Sequence, residues 1–147
     1  MSKEDSDSMD KVSTDLVDAP VIDRETVDML REMDMIADDR NLLLELVDDF
    51  LSHSAQLIEE IILYLTKQNL PELASKAHSL KGASLNIGAL ALFTVCDEIE
   101  ATARRHQRID TEIQLPLLNH AYTRTTETLI EIRKRAQQGE DIDDLLG

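Results

Sequence analysis

Among the four histidines of this 147-residue chain, His78 is the one whose neighbours could do chemistry with it. It lies in Ala77-His78-Ser79-Leu80-Lys81-Gly82-Ala83-Ser84-Leu85. Leu73, Ala77, Leu80, Ser84 and Ile87 recur at spacings of three and four and mark the inward stripe of a helix. At about 100° per residue, His78 falls roughly 140° from the centre of that stripe and faces water. Lys81 and Gly82, one turn on, share its surface, and so do Leu85 and Ala74. A neutral imidazole is a competent nucleophile near physiological pH. An ammonium one turn away can meet transferred oxygens as a point charge. That pairing suits phosphoryl transfer, which asks mostly for positioning and charge neutralisation. Glycine inside a helix costs about 1 kcal/mol against alanine. Gly82 beside an exposed histidine therefore points to close approach by another protein, with Leu85 and Ala74 as its apolar footing. A lone exposed helix histidine is ordinarily a solvated side chain, and these residues alone leave that reading open.

The elements that would position His78 are helical throughout. Asp23 can cap a short first helix with Val27, Leu30 and Met33 on its apolar face. Asp38 or Asp39 can cap a long second helix. Its stripe is Leu42, Leu43, Leu46, Val47, Phe50, Leu57, Ile58, Ile61, Ile62 and Leu65, and it ends near Asn69. Pro71 suits the first turn of the helix that carries His78, and Gly88 breaks that helix. Leu92, Cys96, Ile99 and Ala103 define a fourth helix, ending in the basic residues Arg104, Arg105 and Arg108. A last helix carries Leu117, Ala121, Leu129, Ile132 and Ala136, with Pro116 in its first turn and Gly139 as its stop. The pattern predicts an all-α chain, an antiparallel up-and-down four-helix bundle with a short additional N-terminal helix. Residues 21–138 form the bundle, 1–20 a flexible acidic N-terminal tail, and 139–147 an acidic C-terminal tail.

Composition narrows the partners. The formal net charge is −15. Residues 1–23 carry seven acids against two lysines, and 139–147 carry four acids and no base, so more than half of the excess lies at the two ends. Such a chain repels phosphate backbones and anionic lipid, which argues against nucleic acid or a membrane as partner. Cys96 is the only cysteine, so no internal disulfide forms, as suits a reducing compartment. No apolar signal segment or membrane-length run occurs, and a soluble cytoplasmic protein is expected.

The string from Ala77 to Ala89 closely resembles the histidine phosphotransfer (HPt) motif, H-x-L-K-G-x-S-x-x-x-G-A, beginning at His78. The following segment, with Leu92, Cys96, Ile99, Glu100 and Ala103, is similar to the family's next helix. The resemblance implies a four-helix bundle over roughly residues 21–138. It implies that His78 accepts a phosphoryl group from a receiver-domain aspartate and passes it to another response regulator. Lys81 would steady the phosphoryl charge, Gly82 would leave room for docking, and Ser79 and Ser84 are candidates for hydrogen bonds near the imidazole. Partners would be receiver domains of response regulators and hybrid histidine kinases, with the chain acting as a monomer. Mg²⁺ would belong to the receiver, so no cofactor and no metal site are expected here. With no glycine-rich ATP segment, the chain is expected to be a phosphocarrier without kinase activity of its own. Two other readings remain: a helical adaptor that never carries phosphate, and the phosphoacceptor domain of a chemotaxis-type kinase. The initial Met and the acidic end favour a complete chain over the latter.

Other residues read more simply. His53, His106 and His120 lack E-x-x-H or H-E-x-x-H spacing and read as solvated or packed side chains. Cys96 falls on an apolar stripe and reads as core. Asp5, Asp7 and Asp10 lack the glycine and closing glutamate of a calcium loop. Residues 140–146 alternate acid with aliphatic and read as a frayed end or a short docking peptide. Arg104, Arg105 and Arg108 read as helix-end charges or as contacts to an acidic receiver.

Overall fold

The computed structural model describes residues 21–36 and 41–147. Five α-helices follow in order: α1 Arg24–Ile36, α2 Leu42–Lys67, α3 Leu70–Ile87, α4 Leu90–Arg104 and α5 Thr111–Gln137. A short 3₁₀ turn, Asp143–Leu145, closes the chain, and there is no strand among the described residues. Helices α2 to α5 form the antiparallel bundle, and α1 lies against α2 and α3. The expected N-terminal tail 1–20, with Asp5, Asp7 and Asp10, lies outside the described residues, as do Asp38 and Asp39.

Helices α1, α2 and α5 start where a side chain can satisfy their free N–H groups. Asp23 Oδ2 accepts from the Thr26 N–H at 3.2 Å and heads α1, which buries Val27 and Leu30 but leaves Met33 half exposed. Asn41 Oδ1 accepts from the Leu44 N–H at 3.2 Å, and the Asp34 carboxylate accepts from Leu42 N–H, tying the end of α1 to the start of α2. The buried stripe of α2 is Leu43, Val47, Phe50, Ser54, Ile58, Ile61 and Leu65. Ser54 fills the polar gap in that stripe by a 3.0 Å hydrogen bond to the Tyr122 hydroxyl of α5. Gly88, in the left-handed region at φ 77°, ends α3, and a Cβ there would stand 2.8 Å from Thr26 Cβ, so α1 packs directly on the α3–α4 turn.

Two expectations about α5 are corrected. The helix begins at Thr111, where Asp110 accepts from the Glu112 N–H at 3.1 Å. Pro116 is therefore inside the helix, in its second turn, where it removes one intrahelical hydrogen bond. Leu118, rather than Leu117, is the fully buried residue of that region.

The C-terminal stretch is also corrected, since it is folded onto the bundle rather than a loose tail. Gly139, at φ 72°, turns the chain out of α5. Ile142 is 0% exposed and Leu146 is buried. The acids between them meet arginines: Asp144 Oδ1 lies 2.6 Å from Arg135 Nη1, and Asp143 Oδ1 lies 3.4 Å from Arg24 Nη1. The Gly147 N–H donates to Ile22 O at 2.9 Å, and the Arg24 N–H donates to Gly147 O at 3.2 Å. The alternation of acid and aliphatic is thus a two-sided pattern, one side buried and the other paired. Ile142→Ala should lower the unfolding free energy by roughly 2–5 kcal/mol in urea titration. A change below about 0.5 kcal/mol is what a frayed end gives.

Candidate functional site

The tightest helix pair in the bundle is α3 against α4, with the small residues Ala74, Ala77 and Ala103 buried between the inward stripes. Close packing at a two-residue turn sets the register of the pair. It places His78 of α3 opposite Glu100 of α4.

The His78 side chain is 63% exposed, and its Nδ1 lies 2.9 Å from Glu100 Oε2. Arg104 Nε donates to the same oxygen at 2.7 Å, and Lys81 Nζ stands 2.7 Å from Oε1. The Lys81 contact falls outside hydrogen-bond angles, so it is held by charge rather than direction. Lys81 Nζ also donates to Asp97 Oδ1 at 3.3 Å. The Glu100 side chain itself is 7% exposed. A buried carboxylate is costly unless paired, and here two cations and an imidazole meet it.

Burial works to raise the Glu100 pKa. The close contact of Lys81 and the hydrogen bonds from Arg104 and His78 outweigh it and bring the carboxyl from its ordinary 4.5 down to about 2. The contact with Glu100 likewise raises the pKa of the Lys81 ammonium, against the opposing pull of desolvation. Both groups are therefore charged at neutral pH. An ionised carboxylate can only accept hydrogen bonds. Nδ1 must then carry the proton, which leaves Nε2 of the neutral ring with a free lone pair. Nε2 has no partner among the described residues.

The remaining predicted site residues divide. Leu85 is exposed on the His78 face. At Gly82 an added Cβ would meet nothing within 4 Å, so no packing within the chain demands glycine there. Ala74 is corrected: it is 4% exposed and belongs to the core, because α4 lies close enough to cover that shoulder of α3. The two serines are corrected as well. Ser79 Oγ donates to Ser75 O at 3.3 Å and buried Ser84 Oγ to Leu80 O at 2.7 Å, one turn back along their own helix. Neither reaches the imidazole.

Sequence reasoning assigned no role to Glu100, although a signal existed. Glu100 falls on the inward stripe of Leu92, Cys96, Ile99 and Ala103, and an acid on an apolar stripe needs partners. Arg104, four residues on, is the natural one. Cys96, one turn before Glu100, is buried, and its thiol is pushed up to about 12 by burial and then by Glu100. It stays protonated and is not a competing nucleophile. His53 Nδ1 donates to Asp49 O at 2.8 Å, and no group of three or more potential metal ligands occurs among the described residues. No helix there is long and apolar enough to cross a membrane.

Residues 45–135 match the family model of the Hpt domain. The chain belongs to the Hpt domain family. This Hpt chain is also similar to a solved structure, histidine-containing phosphotransfer protein B of Pseudomonas aeruginosa PAO1. The two share 25% identity and a TM-score of 0.68 over 80% of this chain and 97% of that one. It is 33% identical over 66 residues to the phosphorelay intermediate protein YPD1 of Candida albicans, a match that covers 45% of this chain. It spans 36% of the length of that curated relative.

The pH dependence of this Hpt bundle follows from Glu100. Its folded pKa is lowered, so its stabilising contribution is complete above 4.5 and is lost as pH falls towards about 2. The stability difference between wild type and Glu100→Gln should be level near neutral pH and shrink across that acid range in denaturant titrations. A difference that ignores pH would show that the carboxylate is not engaged.

Proposed function

We propose that this chain is a phosphocarrier in which His78 Nε2 accepts a phosphoryl group from a receiver-domain aspartate and hands it to the aspartate of another response regulator. The observation that carries the reading is the Glu100 bridge to Nδ1. It fixes the tautomer and leaves one nitrogen available on an exposed ring.

In the accepting step the Nε2 lone pair forms the N–P bond while the bond from phosphorus to the aspartyl oxygen breaks. The aspartate leaves as a carboxylate. Nδ1 keeps its proton, so the phosphorylated ring is cationic and faces the Glu100 carboxylate. A cationic ring is a good leaving group, and the donating step is the same exchange in reverse with a second receiver. Lys81 meets the phosphoryl oxygens by turning from Asp97 or Glu100, both within 3.3 Å of Nζ. The bare surface at Gly82 admits the rim of the receiver, and Leu85 gives it an apolar contact. The Mg²⁺ of such transfers belongs to the receiver, the chain needs no cofactor of its own and acts as a monomer, and it carries the group without making it from ATP.

The test is to incubate the full chain with a phosphorylated receiver and look for acid-labile, base-stable label. Wild type should take up label and His78→Gln none, and label on the variant moves the site elsewhere. A wild type that never labels, with any receiver or with phosphoramidate, favours the adaptor. Gly82 supports a finer expectation. Gly82→Ala should raise stability by about 1 kcal/mol, since helix propensity improves and nothing clashes. Gly82→Leu should keep the fold by circular dichroism yet slow transfer at least about tenfold, equivalent to about 1.4 kcal/mol of lost docking.

A further inference from the structure

The chain is strongly acidic, yet Arg104-Arg105-His106-Gln107-Arg108 holds three arginines and no acid. All five residues are exposed. Arg104 is committed to Glu100. Arg105 is oriented by neutral partners only, with Nε 3.2 Å from Gln107 Oε1 and Nη2 3.4 Å from Thr102 Oγ1. Arg108 has no side-chain partner among the described residues. Acids resume at Asp110, whose carboxylate caps α5, and at Glu112.

This loop is held in place. Ile109 is buried. Its N–H donates to Gln68 Oε1 at 3.1 Å, and Gln68 Nε2 donates back to Ile109 O at 2.9 Å. Gln68, itself in the left-handed region at φ 55°, is the C-cap of α2. The basic loop is thus clamped beside the turn that leads into α3. From Leu70 to His78 is roughly 12 Å along the helix axis. A standard interface, about 800 Å² per partner, is roughly 30 Å across. A partner centred on His78 therefore extends to the end of the bundle that carries the loop, whose first residue, Arg104, shares Glu100 Oε2 with His78.

Acids crowd the opposite end of the bundle. Glu140, Asp141, Asp143 and Asp144 gather there, on the segment that bonds Ile22 beside the Gly88 turn. Arg24, Arg31 and Arg135 offset Asp143 and Asp144 in part. The acid-free run and this acidic segment thus lie at opposite ends of the bundle.

We propose that residues 104–108 are an electrostatic docking element, with Arg105 and Arg108 selecting receivers whose rim around the phosphoaspartate is rich in carboxylates. The proposal rests on the phosphocarrier reading of His78. An acidic receiver is repelled by most of this chain, so a fixed positive loop orients it with its phosphoaspartate over the imidazole. Such steering changes the rate of encounter, not the chemistry, and fades with salt.

The experiment uses the full chain and two receiver domains, one with an acidic rim and one with a basic rim, each charged with acetyl phosphate. Arg105→Glu/Arg108→Glu should label from the acidic receiver about tenfold or more slowly at low salt, with the gap closing near 0.5 M salt, roughly where screening shortens to a few ångströms. The basic receiver should gain. Direct labelling of His78 by phosphoramidate, which needs no docking, should not change. Unchanged rates and salt slope with both receivers overturn the docking element alone. An equal loss with phosphoramidate also overturns it, since the damage then lies at the acceptor. No label on wild type from any donor overturns the phosphocarrier reading and this proposal with it.

Discussion

The Glu100 carboxylate is the constraint around which the site is arranged. It is the buried acid at the α3–α4 contact, and its charge is tolerable only because Lys81, Arg104 and the His78 N–H all reach it. Those donors come from two helices, so the network forms only in one register of the pair. Any slip of α4 along α3 would leave an unpaired charge in a dry place. The carboxylate therefore acts as a registration pin as well as an electrostatic partner, and the small residues at the seam bring the helices close enough for it to act.

The other end of the hairpin is fixed by different means. Gly88 reverses the chain between α3 and α4, and Thr26 of α1 presses on it. The Asp23 N–H donates to Gly88 O at 2.8 Å, and the C-terminal segment bonds to Ile22 just before it. The first helix, the turn and the final residues thus form one connected cap. Because α3 is gripped at Gly88 and registered at Glu100, His78 sits on backbone with little freedom to drift. Under the proposed relay role, transfer between two separate proteins needs this, since a misplaced nucleophile loses rate steeply.

How much of this was legible beforehand follows from the range of the physics. The outward aim of His78, Gly82 and Leu85 needed only a helical period, which is local, and it matched. Ala74 sits on the shoulder of the same helix, and whether a shoulder is covered depends on the distance to the next helix, which no wheel contains. Ser79 and Ser84 bond to carbonyls one turn back, an outcome always open to a helical serine. The Glu100 network needed the register of two helices, though the acid on an apolar stripe was in plain view. Pro116 was misplaced because Asp110 was passed over as a cap. The final segment was misread because acids dominated its composition while Ile142 and Leu146 carried its packing.

The pairing around His78 also bears on how strongly a carrier should hold its cargo. Lys81 and Arg104 are not free cations waiting for a phosphoryl group. Each is already matched to a carboxylate, Lys81 to two of them. Under the proposed relay role, phosphoryl oxygens gain the ammonium only by competing with Asp97 and Glu100, so the net gain is the difference between two similar interactions. A free, desolvated clamp would bind the group more tightly and make the outward step slow. Transfer in both directions needs the phosphorylated histidine to lie close in free energy to the phosphorylated aspartates on either side. A shared, partly exposed lysine beside an exposed ring meets that need better than a buried anion site.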